Sequence, residues 1–228
     1  MVYIDPLYLI LLGPPFLLTL WAQLKVRTTF SALSRIPAAV GLTGAEVARL
    51  ILRRSSIHDA EIEEGAGWLW SHYDLRHKTL GLAPGIYHDR SLTAIGVAAH
   101  EAGHAIQHAH GYGLLRIRQD LALGSVVGSN LAMILLGLGL ILGAANLVKA
   151  GGMVFFLTVS FQVITLPVEF NASKRARLLL TRYGLVSSLE LEGIDQVLKA
   201  VAWTYVAAAL TGIFSAFLAS IWPHRGPA

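Results

Sequence analysis

Residues 91–111, Ser91-LTAIGVAAHEAGHAIQHAH-Gly111, contain the pattern from which the rest of the chain can be interpreted. Their apolar residues recur at helical spacing, which predicts a helix that packs along one side. His100 and His104 are four residues apart, so on a helix they lie one turn apart and can direct their ring nitrogens at one point. Glu101 follows the first histidine directly. The spacing therefore predicts a packed helix that presents two imidazoles and one carboxylate together.

This arrangement is typical of a zinc site that hydrolyses amide bonds. Zinc in such a site keeps a position for water and lowers the pKa of that water, and a neighbouring carboxylate can take its proton. We expect one Zn²⁺ per chain as the cofactor and Glu101 as the general base. The HExxH pattern also arises by chance on solvated helix faces, but the apolar side of this helix and the absence of cysteine favour the metal site.

The composition indicates a membrane protein. Hydrophobic residues make up 54% of the 228 residues, charged residues only 14%, and the mean hydropathy is +0.58. These values are too apolar for an ordinary soluble domain. We expect a mainly α fold, a multi-pass helical membrane protein of one domain over 1–228 with about four transmembrane helices. The predicted spans, each close to or above the ~20 residues that cross a hydrocarbon core, are 6–24, 121–148, 150–168 and 200–222.

Two of these spans carry further signals. Lys149 with Gly151 and Gly152 separates the second from the third, which predicts a tight turn there; one buried helical pair in a soluble core is the alternative. Pro14-Pro15 is expected to kink the first span, so its full crossing stays open. The first span has no basic residues before it, which favours a retained anchor over a cleaved secretory signal.

The distribution of Lys and Arg predicts the orientation in the membrane. These residues concentrate in 25–120 and in 169–199, so both regions are expected to be cytoplasmic and both termini outside. The net charge of +4 is explained by this topology and by anionic lipid, and no nucleic-acid-binding motif is present. We therefore expect the lipid bilayer as a partner and an active site that faces the cytoplasm.

A zinc site needs more than two protein ligands, and three residues compete for the third position. Glu169 follows the third predicted span on the same predicted side as the histidines and is the favoured ligand. His108 lies ~12 Å along a regular helix from His100, too far to share an ion. His110 has the metzincin spacing HExxHxxGxxH, but Gln107 stands where the turning glycine would be.

Four segments resemble the neutral zinc metallopeptidases of the YugP-like membrane family, distant relatives of the HtpX and CAAX-prenyl-protease group. They are Gly41-LTGAEVAR-Leu50, Tyr73-DLRHKTLGLAPGIYHDRSLTAIGVAAHEAGHAIQH-Ala109, Leu166-PVEFNASKRA-Arg177 and Ala200-VAWTYVAAAL-Thr211. The resemblance implies a bacterial plasma-membrane endopeptidase that acts on a protein or peptide substrate. It also implies His100, His104 and Glu169 as zinc ligands and Glu101 as the base.

The chain departs from the pattern of its HtpX-like relatives at one position. There the glutamate ligand opens an ExxxD pattern whose aspartate orients a zinc-binding histidine, whereas Ser173 stands at that position here. A hydroxyl supports a ligand histidine less strongly than a carboxylate does. Either Asn171 or Ser173 is predicted to provide weaker support, or the supporting group comes from elsewhere.

The first cytoplasmic region contains a cap and a predicted hairpin. Thr43 and Glu46 form a capping box that predicts a helix to about Arg54, and Ser187 with Glu190 predicts the cap of a helix that enters the last span. Within 78–90, Leu80 and Leu82 alternate before the turn residues Pro84-Gly85, which predicts a small β-hairpin with Ile86 and Tyr87 on its second strand.

The sequence also contains candidates for peptide binding, oxyanion stabilisation and close helix packing. The hairpin edge, with Leu82, is a candidate for binding an extended peptide, and the alternative is a hairpin that only closes the fold. The candidates for stabilising the oxyanion are Tyr87 and one of the nearby histidines, His58, His72, His77 and His88. Steps of Gly-xxx-Gly at 124–128 and 139–143 allow helices to pack closely, within the chain or with a second copy or another membrane protein.

Two other functions compete with a surface endopeptidase. A site-2-type intramembrane protease also uses HExxH, but that class places an aspartate motif in a later span, and the later spans here contain none. A non-catalytic membrane scaffold or quality-control adaptor would use zinc only to organise its loops. Four protein ligands would indicate such a structural zinc, and three would indicate a catalytic one.

Overall fold

The computed structural model describes residues 6–65 and 71–221, and that part is mainly helical with one small sheet. In chain order the elements are α1 (Pro6–Leu33), α2 (Gly44–Arg54), β1 (Glu61–Glu64), β2 (His72–Asp74), β3 (Thr79–Leu82), α3 (Pro84–Tyr87), α4 (Leu92–Ala109), α5 (Gly113–Ile141), α6 (Ala145–Arg182) and α7 (Ser188–Ile221).

Contacts divide the chain into two compact units. Of the described residues, 6–23, 117–166 and 203–221 form the first unit, and 24–65, 71–116 and 167–202 form the second. The second unit contains the HExxH helix and the sheet, so it is the unit that positions the candidate site.

The core of the second unit is built where α2 packs on α4. Thr43 caps α2 as predicted: its side chain accepts a hydrogen bond from the Glu46 N–H at 3.2 Å, and the Glu46 carboxylate accepts one from the Thr43 N–H at 2.7 Å. The helix ends at Arg54, also as predicted. Its buried side chains include Val47 and Ile51, and each fully buried aliphatic side chain of this size stabilises the fold by about 1.5–3 kcal/mol.

The small sheet differs from the predicted hairpin. Its strand order is β1-β3-β2, with β1 parallel and β2 antiparallel to β3. The hairpin partner of Thr79–Leu82 is therefore the preceding strand, His72–Asp74, and not the residues that follow. The prediction of a second strand at Ile86 and Tyr87 was wrong, because Pro84 begins the short helix α3, where the fixed φ of proline and its missing N–H suit the first helical position.

The Glu190 carboxylate caps the start of α7 and also binds the segment before α2. Glu190 accepts hydrogen bonds from the Ser187 N–H and hydroxyl, both at 2.8 Å, while Ser187 Oγ accepts from the Glu190 N–H at 3.3 Å, which confirms the predicted cap. The same carboxylate accepts a hydrogen bond from the Ala39 N–H at 2.6 Å. It therefore also holds the segment between α1 and α2.

In the first unit, the turn between α5 and α6 does not lie where it was predicted. The chain reverses at 142–144, where Gly143 has a φ of +62° and Ala144 donates to the Gly139 carbonyl at 2.8 Å, and not at Lys149 to Gly152. A Cβ on Gly151 would lie 2.8 Å from Leu136 Cγ, so this glycine serves close packing of α6 on α5. The predicted boundaries at 148 and 150 are corrected accordingly.

The number of predicted spans is also corrected. Among the described residues, two helices are long and apolar enough to cross a membrane, Ala145–Arg182 and Ser188–Phe214. A third arises only if the pair Gly113–Ala122 and Val127–Gly139, bent by 49°, is counted as one span. The predicted first span, 6–24, is helical, but the side chains of 6–12 lie outside the described part, and Lys25 and Arg27 shorten the apolar run that remains.

The two candidate spans expose much of their apolar surface. In the most apolar 18-residue stretch of each helix, only 22% of α6 and 33% of α7 is buried. Phe156 and Leu157, for example, are 60% and 65% exposed. Apolar surface on this scale is typical of helices in contact with lipid.

Candidate metal centre

The HExxH helix α4 is held almost completely inside the second unit. Ser91 caps it by accepting a hydrogen bond from the Ala94 N–H at 3.3 Å, and the Ser91 hydroxyl donates to Asp89 at 2.7 Å. From Leu92 to Gln107 every residue except Val97 is buried. Helical spacing and this burial together point His100 and His104 into the protein.

Three buried side chains from two helices meet at one point. His100 and His104 of α4 and Glu169 of α6 each offer a ligand atom, and these atoms all lie within 4.8 Å of one another. Glu169 Oε2 lies 3.1 Å from His100 Nε2, and Glu169 Oε1 lies 3.6 Å from His104 Nε2. The three residues are only 6%, 5% and 2% exposed, respectively.

A glycine makes this meeting possible. Gly103 lies on α4 between the two histidines, and a Cβ placed on it would come within 2.7 Å of the Ala172 carbonyl oxygen of α6. That distance is shorter than any ordinary carbon–oxygen contact. Only glycine therefore lets the two helices approach closely enough for Glu169 to reach the histidines.

Each histidine has a polar neighbour at its other ring nitrogen. The Ser173 hydroxyl lies 3.1 Å from His100 Nδ1, one turn after Glu169 on α6. His104 Nδ1 donates to Gln107 Oε1 at 2.9 Å. Neighbours of this kind orient the rings of metal-binding histidines and increase their affinity for the metal.

Gln107 is tied in turn to α6. Its amide nitrogen donates to the Val168 carbonyl and to Asn171 Oδ1, both at 2.9 Å, and Arg175 Nε donates to the same Asn171 oxygen at 2.8 Å. Asn171 and Ser173 thus both lie close to the histidines, Ser173 in direct contact and Asn171 through Gln107. Gln107 itself was missed from sequence; its spacing of three from His104 on one helix is the signal that could have found it.

The remaining candidates have different surroundings. Glu101 lies next to His100 on α4 and is 7% exposed, so the predicted base is buried beside the cluster. Leu82 ends β3 and is buried in the core, while Tyr87 on α3 packs its ring 4.8 Å from that of His88. Neither of these last two belongs to the group of side chains that could hold a metal ion in the described part of the chain.

The two rival histidines point to other partners. His108 Nδ1 lies 2.9 Å from the Tyr73 hydroxyl, and burial, with the nearby cations Lys78 and Arg116, lowers the pKa of His108. Burial also raises the pKa of Tyr73 to about 12, with smaller contributions from neighbouring aspartates. His110 ends α4, and its Nδ1 lies 3.2 Å from an Arg175 guanidinium nitrogen. Neither histidine joins the cluster.

The donor set fits zinc. Two imidazole nitrogens and one carboxylate oxygen are ligands that zinc prefers, and three protein ligands are the number found in catalytic sites. Within residues 6–65 and 71–221, no further His, Cys, Asp or Glu completes a group with these three. The chemistry of the donors therefore favours a catalytic over a structural zinc.

A mainly helical chain with apolar helices of membrane-spanning length and a buried His-His-Glu cluster on an HExxH helix has the features of a membrane metallopeptidase. The comparisons with known proteins agree with this class. Over residues 8–221, the chain belongs to the family described as "putative neutral zinc metallopeptidase". This confirms the resemblance found from the sequence segments, while the more distant relation to HtpX stays a prediction.

A curated relative supports the same placement. The chain is 43% identical over 197 residues, 86% of its own length and 88% of the relative's, to the "Putative membrane protease YugP" of Bacillus subtilis (strain 168). That relative and the two apolar helices point to a membrane protein. No solved structure matches the chain at a significant level.

Proposed function

We propose that the protein is a zinc-dependent endopeptidase that cleaves peptide bonds of protein or peptide substrates at the cytoplasmic surface of the bacterial plasma membrane. The observation that carries this proposal is the convergence of His100, His104 and Glu169 within 4.8 Å of one another, beside the buried Glu101. The family and the curated relative support it, since both are described as proteolytic.

The side chains divide the chemistry between them. His100, His104 and Glu169 would hold one zinc ion, and when bound the ion lowers the pKa of a water molecule and polarises a carbonyl group. Glu101 accepts a proton from the water that attacks the peptide carbonyl and then donates it to the leaving amine. Ser173 and Gln107 keep the two imidazoles oriented during this cycle.

The test of the base is Glu101→Gln in the full-length protein, purified in detergent and assayed on a peptide library. Loss of the base is expected to reduce cleavage by about 10²–10⁴-fold, while zinc content, measured by mass spectrometry, stays at one ion per chain. Glu192→Gln is a matched control, because Glu192 is exposed on α7 and lies outside the cluster. A Glu101→Gln protein that cleaves like the wild type would contradict the assignment.

The same assays of zinc content and peptide cleavage test Glu169 as the third ligand. Glu169→Gln removes the only carboxylate of the cluster and is expected to lose both zinc and cleavage. Retention of zinc by this variant would mean that another residue completes the site. A protein that keeps its zinc and its biological activity when Glu101 is replaced would be a scaffold and not a peptidase.

The orientation can be tested because the chain contains no cysteine. Arg76, exposed in the second unit, and Leu142, 67% exposed in the turn between α5 and α6, are replaced singly by cysteine. We expect a membrane-impermeant thiol reagent to label Arg76→Cys only in inside-out vesicles and Leu142→Cys only in right-side-out vesicles. The reverse pattern would place the site on the outer face.

A further inference from the structure

Gln107 is fully buried, and its side chain contacts His104 and two groups of α6. Its side chain amide lies 2.9 Å from His104 Nδ1, from the Val168 carbonyl and from Asn171 Oδ1. We propose that Gln107 is a positioning residue that fixes the proton of neutral His104 on Nδ1, so that Nε2 is always the nitrogen available to a metal. The inference rests on the proposed metal site.

The orientation of the Gln107 amide follows from the Val168 carbonyl. A backbone carbonyl oxygen only accepts hydrogen bonds, so the Gln107 atom beside it must be the NH₂ group. The other end of the amide is then Oε1, which also only accepts. His104 Nδ1, which faces Oε1, must therefore carry a hydrogen.

A second chain of contacts leads to the same orientation. The Arg175 guanidinium only donates, so the Asn171 atom 2.8 Å from Arg175 Nε is the carbonyl oxygen Oδ1. That oxygen accepts a second hydrogen bond, from the Gln107 amide nitrogen. A donor-only group and an acceptor-only group thus fix the Gln107 amide independently, and neither depends on how the histidine is protonated.

The consequence concerns the nitrogen that faces the cluster. With the hydrogen on Nδ1, a neutral His104 has its lone pair on Nε2, the atom that lies 3.6 Å from Glu169 Oε1. The Ser173 hydroxyl beside His100 Nδ1 can donate or accept, so this contact does not by itself fix the position of the His100 proton. Gln107 therefore does for His104 what a carboxylate does in many zinc sites, without adding a buried charge.

The test compares Gln107→Leu, which keeps a similar volume but has no amide, with the wild type in detergent. We expect zinc affinity, measured by competition with a chromophoric chelator, to fall about 10–100-fold. In protein loaded with cobalt(II), each ligand histidine gives an exchangeable ring N–H proton signal. Gln107→Leu is expected to speed solvent exchange of one of these signals and leave the other unchanged.

Two further variants separate positioning from stability. Leu180→Ala removes a fully buried side chain of α6 and is expected to lower the unfolding temperature while zinc affinity and both proton signals stay as in the wild type. Gln107→Met is a second variant of similar volume that lacks the amide, and it is expected to lose zinc affinity to the same extent as Gln107→Leu. Equal losses of zinc affinity in Leu180→Ala and Gln107→Leu would reduce Gln107 to a packing residue and overturn the inference.

A further test uses the wild-type cobalt protein alone and so does not depend on whether a variant folds. Rapid solvent exchange of both ring N–H protons in the wild-type cobalt protein would overturn the inference, and one protected proton would support it. Failure of the proposed function looks different, since it would appear as a wild type that binds zinc and cleaves no peptide. Failure of the Gln107 inference would appear as a Gln107→Leu protein with wild-type zinc affinity.

Discussion

Replacing Gly103 by alanine should separate the two helices that bring the cluster together. The added Cβ would lie 2.7 Å from the Ala172 carbonyl oxygen and 3.4 Å from the Ala172 Cα. Ordinary contact begins near 3.4 Å, so the oxygen and the Cβ must move apart by about 0.7 Å (3.4 − 2.7). The opposing atom belongs to the backbone of α6, so the helix itself must shift.

The energetic balance predicts more loss of metal binding than of stability. Overpacking of this kind costs about 1–3 kcal/mol, and the better helix propensity of alanine returns up to about 1 kcal/mol. Metal–ligand distances in zinc sites stay within about 0.2 Å of their usual values. Because Glu169 lies one turn before Ala172 on the shifted helix, we expect Gly103→Ala to weaken zinc binding at least tenfold, which corresponds to about 1.4 kcal/mol.

The measurement is a chelator competition on detergent-purified protein, with thermal unfolding recorded in parallel. Gly96→Ala is the matched control on the same helix, because the three atoms nearest to its Cβ would all belong to the Ile194 side chain, the closest at 3.2 Å, and none to the backbone of α6. We expect this control to bind zinc like the wild type. Wild-type zinc affinity in Gly103→Ala would refute the conclusion that close helix approach at this glycine positions Glu169.

Further predictions concern the rest of the fold. Thr43→Ala removes the capping box of α2 and should lower the free energy of unfolding by about 1 kcal/mol in a denaturant titration. Gly143→Ala forces a Cβ into a residue with φ of +62° and should cost about 1–2 kcal/mol in the same titration, whereas Gly113→Ala, with open space around it, should cost nothing measurable. Burial lowers the pKa of His108 in the folded protein. The stability contributed by neutral His108 is therefore complete above the ordinary pKa of 6.5 and declines as the pH falls below that value. Unfolding midpoints measured at pH 8 and at pH 5.5 should differ less in His108→Asn than in the wild type.

The sequence predicted those features that depend on local spacing. The pairing of His100 with His104 follows from four residues on one helix, and the caps at Thr43 and Ser187 follow from residues three apart. Glu169 could be proposed from sequence only as a residue on the same side of the membrane. Its distance from the histidines depends on how α4 packs against α6, which the spacing within either helix does not contain.

The errors have physical causes as well. Glycines break helices in one setting and permit close packing in another, so Gly151 and Gly152 were misinterpreted as a turn while Gly143 made it. The three residues of β2 are too few to show the alternation by which strands are recognised. In the sequence, Gln107 stands out only as the residue at the position of a metzincin glycine. Its hydrogen bond to the Val168 carbonyl, which links α4 to α6, depends on the packing of the two helices.

The order of the donors along the chain also bears on how the protein is made. His104 leaves the ribosome 65 residues before Glu169 (169 − 104), and domains form as their segments emerge, amino-terminal parts first. Two imidazoles alone are too few to retain a catalytic ion. We therefore expect a nascent polypeptide to have no peptidase activity until α6, with its glutamate ligand, has been synthesised. Biosynthesis itself would then delay the onset of proteolysis.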